Sequence, residues 1–81
     1  MDTIVRLKVK KDIDNKQHKA LLELKGNIIA KGFTDIIHIS DEGEEFHINS
    51  FTTLSGQSAA LYEYMAAFLE EKALRDLVTL L

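Results

Sequence analysis

The sequence predicts an α+β domain in which two helices cover one face of a three-stranded antiparallel sheet. Three features of the chain predict this class. Apolar and charged residues alternate over residues 3–10, helical apolar spacing recurs over 14–31 and 56–76, and two more alternating runs flank an acidic turn between Phe33 and Phe51. Eighty-one residues with 46% apolar content suit one globular domain with a modest core. We therefore expect residues 1–81 to form a single domain of the order β-α-β-β-α.

The first strand, residues 3–10, has the alternation of a strand with one buried face. Neighbouring side chains of a strand point to opposite faces, so Val5, Leu7 and Val9 are predicted to point into the core. The opposite face carries Ile4, Arg6, Lys8 and Lys10. The first strand therefore offers a mainly cationic outer face.

The first helix is predicted over residues 14–31. Asp14 is a good N-cap, and Gln17 stands at the position that completes a capping box. Gly32 is expected to end the helix, because glycine readily takes the left-handed conformation of the residue just beyond a helix. The core positions at helical spacing are Leu21, Leu24 and Ile28.

Residues 33–40 and 44–52 are predicted to form a β-hairpin, with Glu42 and Gly43 as a two-residue turn. That turn would set Ile39 opposite Phe46 and His38 opposite His47. The inward side chains would then all be apolar, namely Ile37, Ile39, Phe46 and Ile48, whereas the outward face would include Ile36, His38, His47 and Phe51. A shift of one residue would mix the two faces, so burial should fix the register.

The second helix is predicted over residues 56–76, with Ser55 as its cap. Its apolar stripe follows helical spacing through Leu61, Met65, Leu69 and Ala73. Glu71 and Arg75, and likewise Lys72 and Asp76, are oppositely charged residues four positions apart. Such pairs favour a helix through residue 76.

After Ala73 the apolar residues rotate by roughly a third of a turn around the helix, and residues 77–81 form an apolar tail. Three continuations are open at this point. The helix continues and docks its new face on another subunit, a short separate helix folds back, or the tail turns and adds a fourth strand. The charge pairs favour the first, which predicts a homodimer joined through the tail.

The first and third strands are predicted to pair antiparallel, which gives the sheet order 1-3-2 with both helices on one face. This is the ferredoxin-like split arrangement with its last strand missing or replaced. The sheet face without helices and the apolar tail together form a candidate interaction surface. Its residues are Ile4, Arg6, Lys8, Ile36, His38, His47, Phe51, Leu74, Leu77, Val78 and Leu81.

No constellation of residues in the sequence predicts catalysis. Cysteine is absent, which excludes disulfides and thiolate metal sites. His38 and His47, together with Glu45, could share a metal if the imidazoles faced each other across the hairpin. Their spacing matches no zinc motif, so we interpret them as solvated histidines. We expect no enzymatic activity, no cofactor and no metal.

The predicted function is a non-enzymatic protein-binding or regulatory module that docks on a larger protein or associates with itself. Small phage or mobile-element regulators often have such a composition. Residues 1–31 hold eight Lys and Arg against four Asp and Glu, whereas residues 32–81 hold two against nine. That asymmetry favours a charged partner or complementary charges within the fold.

Nucleic-acid binding through Arg6, Lys8 and the open sheet face is the alternative, because a basic platform with an aromatic side chain suits stacked bases. No apolar run reaches membrane-spanning length, and residues 1–11 lack a signal-peptide pattern. We therefore expect no membrane association and a cytoplasmic location.

Overall fold

A four-stranded antiparallel sheet carries both helices on one face. The computed structural model describes all 81 residues. The elements in order are β1 Asp2–Lys10, α1 Asn15–Ala30, β2 His38–Glu42, β3 Phe46–Leu54, α2 Ser58–Glu71 and β4 Val78–Leu80. The strands lie in the order β2-β3-β1-β4. The α+β class is confirmed, but the sheet has four strands rather than three, and the element order is the full β-α-β-β-α-β of the ferredoxin-like arrangement.

Strand β1 is the centre of the fold, as its alternation predicts. Val5, Leu7 and Val9 are buried on the inner face of the sheet, which is the face that α1 and α2 cover. Antiparallel pairing sets Val5 opposite Phe51 of β3 and Val9 opposite Val78 of β4. The charged residues of β1 point to the other side, which we call the open face.

Helix α1 begins and ends as its capping residues predict. Asp14 Oδ1 accepts a hydrogen bond from the Gln17 backbone N–H at 2.7 Å, and the Asp14 N–H donates to Gln17 Oε1 at 2.9 Å. Gly32 follows the helix with φ +82°. Its N–H donates to the Ile29 carbonyl and the N–H of Phe33 donates to the Ile28 carbonyl, which is the Schellman arrangement.

The hairpin register differs from the predicted one, because the turn contains three residues rather than two. Glu42 pairs with Phe46, which leaves residues 43–45 as the loop. Gly43 has φ +69°, a conformation that glycine adopts without a steric penalty. A loop with an odd number of residues pairs even positions with even ones and odd positions with odd ones. Ile39 therefore lies opposite Asn49 instead of Phe46. The predicted pairing is wrong by three positions.

This shift turns β3 over. Phe51, which the sequence places outward, is buried opposite Val5, whereas Phe46 and Ile48 lie partly buried on the open face. The reason is position along the strand. Phe51 lies at mid-sheet beneath the helices, but Phe46 lies beside the turn and pairs with Lys10 at the far end of β1. The predicted strand 33–40 also forms regular pairing only from His38 onward.

Helix α2 ends five residues earlier than predicted. Glu71 is its last residue, and Ala73 takes the left-handed conformation with φ +55°. The Ala73 N–H donates to the Glu70 carbonyl and the Leu74 N–H donates to the Leu69 carbonyl at 2.8 Å. Alanine thus occupies the position that glycine usually fills beyond a helix.

The tail forms strand β4, so the predicted continuous helix to residue 76 and the homodimer through an apolar tail are not supported. Val78 pairs with Val9 and Leu80 with Leu7. Leu74 and Val78 are 1% and 4% exposed and belong to the single core cluster. The apolar residues that left the stripe of α2 therefore face the core of the same chain.

The start of α2 also differs from the prediction. Residues 55–57 form a 3₁₀ turn, and no side chain caps the helix. The Ser55 hydroxyl lies 2.9 Å from the hydroxyl of Thr3, and Ser58 Oγ donates to the Ser55 carbonyl. Neither helix is long and apolar enough to cross a bilayer.

The charge asymmetry of the sequence is partly matched inside the fold. Lys8 Nζ lies 3.8 Å from Glu42 and Lys11 Nζ lies 3.2 Å from Asp41, so the basic first strand faces the acidic hairpin. Lys11 Nζ also donates to the Gly43 carbonyl at 3.1 Å.

Candidate interaction surface

The open face of the sheet has no covering element. The side chains that register and parity place on it are Ile4, Arg6, Lys8 and Lys10 of β1, Phe46, Ile48, Ser50, Thr52 and Leu54 of β3, His38, Ser40 and Glu42 of β2, and Thr79 and Leu81 from the β4 edge. Ile36, just before β2, lies beside them. Six of the predicted surface residues lie on it, namely Ile4, Arg6, Lys8, Ile36, His38 and Leu81.

One end of the open face is apolar. Ile4, Ile36, Leu54 and Leu81 are each 57–60% exposed. Ile4 and Ile36 line a shallow groove of about 290 Å³ together with Arg6, His38 and Ser50. Leu81 joins this end because its N–H donates to the Arg6 carbonyl at 2.9 Å. Several large apolar side chains left in water at one place indicate a surface that another molecule covers.

The other end of the open face is ionic and already partly paired. Lys8 Nζ lies 4.3 Å from the centre of the Phe46 ring and 3.8 Å from Glu42. The ring and the carboxylate together hold the ammonium. Arg6 and Lys10 make no ion pair.

Four residues of the predicted surface do not lie on an exposed face. Phe51, Leu74 and Val78 belong to the core, and His47 points to the inner face because the three-residue loop reverses the parity of β3. Leu77 is partly buried and packs against the core. The interpretation of the tail as a docking surface is therefore corrected, and of its members only Leu81 remains exposed.

His38 and His47 lie on opposite faces of the sheet, so they cannot share a metal. His38 pairs with Ser50 and His47 with Asp41. No group of three or more His, Asp or Glu side chains has an arrangement that could hold a metal ion.

The imidazole of His47 contacts the carboxylate of Asp41. His47 Nδ1 lies 3.2 Å from Asp41 Oδ1 without the geometry of a hydrogen bond, and Lys11 Nζ lies 3.2 Å from the same oxygen. The hydrogen bond and charge of Lys11 lower the pKa of Asp41, and His47 adds a smaller contribution in the same direction. Because Asp41 is fully exposed, this pair screens readily and fixes the hairpin tip only weakly.

The sequence also missed members of the open face. Phe46, Ile48 and Leu54 were assigned to the core or passed over, although their even parity is shared with Ser50 and Thr52. The polar residues Asn49 and Thr53 lie on the inner face and are buried, at 1% and 3% exposure.

No protein-family model and no curated protein sequence matches the chain.

Proposed function

We propose that the chain is a non-enzymatic protein-binding module that docks through the open face of its sheet. The observation that carries this proposal is the set of exposed apolar side chains around Ile4, at one end of a sheet face that no helix covers. Burial of that end against a partner would remove apolar surface from water, which is the main driving force of protein association.

The partner that suits this face has an apolar centre and carboxylates at its edge. Arg6 and Lys10 are the cations of the open face that form no ion pair within the chain, and Arg6 lines the groove beside Ile4. Complementary charge at the rim of an interface guides the partner into register and speeds association. A second copy of the same face would set like charges together, so a different protein with an acidic rim is the expected occupant.

Photo-cross-linking in cells of the natural source tests the proposal. A photoreactive amino acid at Ile4 should capture one defined protein. The same residue at Ile29, which is 44% exposed on α1, should not capture that protein. With both proteins purified, Ile4→Asp should weaken binding by at least about tenfold, and Ile29→Asp should leave it unchanged. Equal capture from both positions, or equal binding of both variants, would refute docking through the open face.

Nucleic acid is the alternative occupant of the same face. A four-stranded sheet that carries Arg6, Lys8, Lys10 and Phe46 on one face has the elements of a platform for stacked bases. Phe51, the aromatic side chain on which the prediction of this function relied, is buried in the core. A labelled single-stranded oligonucleotide that binds at low salt, and binds less with Arg6→Glu, would favour this function over protein docking.

A further inference from the structure

A cleft on the inner face, between α1 and strands β2 and β3, is not used by the proposed docking surface. Its volume is about 340 Å³, at the lower end of the range of small-molecule sites. The cleft exists because α1 leaves the edge strand β2 uncovered. Ile39 points to the inner face and yet is 59% exposed, and Leu22 of α1 is 53% exposed. The apolar walls are Val9, Ile13, Leu21, Leu22 and Ile39.

One polar side chain lines the cleft with an unpartnered atom. Asn49 is 1% exposed, and its Oδ1 makes no hydrogen bond. His47, two residues earlier on the same face of β3, also lines the cleft, but its Nδ1 has Asp41 Oδ1 at 3.2 Å. Buried polar groups in native proteins almost always have partners. The unpaired Oδ1 of Asn49 therefore indicates a ligand that supplies the missing bond. The carboxamide of Asn49 can turn over and present either its oxygen or its N–H.

Lys11 and Lys25 are the lysines of the inner face that line the cleft, and no Asp or Glu lines it. Asp41 approaches from the rim, where Lys11 and His47 already contact it. Burial lowers the pKa of Lys25, since its ammonium has lost water and no carboxylate replaces it. An anion in the cleft would compensate that loss.

We propose that this cleft binds a small monocarboxylate with an apolar body, whose carboxylate lies between Lys25 and Asn49 and whose body packs on Leu22 and Ile39. The small volume and the apolar walls favour a short aliphatic or aromatic acid. The carboxylate can come from a free acid or from the C-terminus of a peptide, and both have the same chemistry at Lys25.

Titration of the ¹⁵N-labelled protein with hexanoate, followed by amide chemical shifts, tests the proposal. Hexanoate should give saturable shifts at Asn49, Ile39 and Leu22 with a dissociation constant on the order of 1 mM. Hexanamide, which has the same body without the charge, should bind at least about tenfold more weakly. Tighter binding of a tripeptide ending in leucine than of hexanoate would assign the carboxylate to a peptide, and weaker binding would assign it to a free acid.

Matched variants separate the cleft from the general positive charge of α1. Lys25→Met should weaken hexanoate binding about tenfold, whereas Lys19→Met, which removes an exposed cation of the same helix, should leave it unchanged. Asn49→Leu should abolish binding, and the same spectra report whether that variant is folded. The proposal is overturned if no carboxylate gives saturable shifts, if the amide binds as well as the acid, or if Lys19→Met and Lys25→Met lose binding equally.

Discussion

Replacement of Ala73 by glycine should stabilise the protein, although glycine usually weakens a helical region. Ala73 is the only residue other than glycine with a positive φ, at +55°. Its Cβ crowds the following carbonyl in that conformation, at a cost of about 1–2 kcal/mol. Glycine removes the crowding, but it also increases the conformational entropy of the unfolded chain, which lowers the free energy of unfolding by about 0.4–1 kcal/mol. The net expectation is a gain of about 0.5–1 kcal/mol in the free energy of unfolding.

A control in the same helix gives the opposite sign. Ala67 is exposed inside α2, where glycine costs about 1 kcal/mol relative to alanine. The two variants should thus differ by about 1.5–2 kcal/mol. For a chain of this size, in which urea lowers stability by about 1 kcal/mol per molar, urea unfolding should place the two midpoints about 1.5–2 M apart on either side of the wild type.

The outcome decides where α2 ends. If the helix ran on to residue 76, position 73 would be a helix interior and Ala73→Gly would lower the midpoint as much as Ala67→Gly. That result would refute the left-handed helix end and with it the return of the tail as β4. Equal slopes of the unfolding curves are required, so that midpoints report stability alone.

Three further outcomes follow from the register, the tail and the hairpin tip. Phe51→Ala should cost about 3–5 kcal/mol by urea unfolding and Phe46→Ala only about 1–2; the reverse order would restore the two-residue turn. Leu74→Ala should cost about 2–5 kcal/mol, whereas Leu81→Ala should change stability little; similar small effects would mean that the tail lies outside the core. Because Lys11 lowers the pKa of Asp41 in the folded state, the charged carboxylate stabilises the fold above its ordinary value of 3.8 and that stabilisation is lost as the pH falls. The midpoint difference between the wild type and Asp41→Asn should thus be small at about pH 6 and vanish near pH 2, and a difference that grows in acid would contradict the pairing.

The elements that the sequence predicts correctly are those whose signals are local. The alternation of β1 needs only nine residues of one strand, and both ends of α1 are decided by Asp14, Gln17 and Gly32 within a few positions. These side chains do in the fold what they favour in isolation. The open face of β1 follows directly, which is why Ile4, Arg6 and Lys8 were placed correctly.

The hairpin register and the end of α2 are predicted wrongly, because in each case the local sequence pattern is compatible with two structures. Glycine at position 43 is compatible with loops of two or three residues, and the first option gave the more apolar inner face. The fold takes the second, because burial of Phe51 at mid-sheet outweighs the exposure of Phe46 and the burial of Asn49 and Thr53. The rotation of the apolar stripe after Ala73 can be seen in the sequence. Alanine, however, is not a sequence signal for a helix end, as glycine is.

The cleft beside α1 could not be predicted at all. It is formed by the distance between one helix and an edge strand, and its polar residues, His47 and Asn49, were assigned to the opposite face of the sheet. Only the reversed parity of β3 brings them beside His18 and Lys25.

The pairing of β4 with β1 has a consequence for how the chain reaches its native state. Leu7 and Leu80 are neighbours in the sheet although they lie 73 positions apart in the sequence, and such long-range pairing forms slowly. During synthesis on the ribosome β1 is made before β4, so the edge of β1 that pairs with β4 stays unpaired until β4 has been made. Mutations that delay this last step should lengthen the time during which nascent chains can aggregate or meet a chaperone.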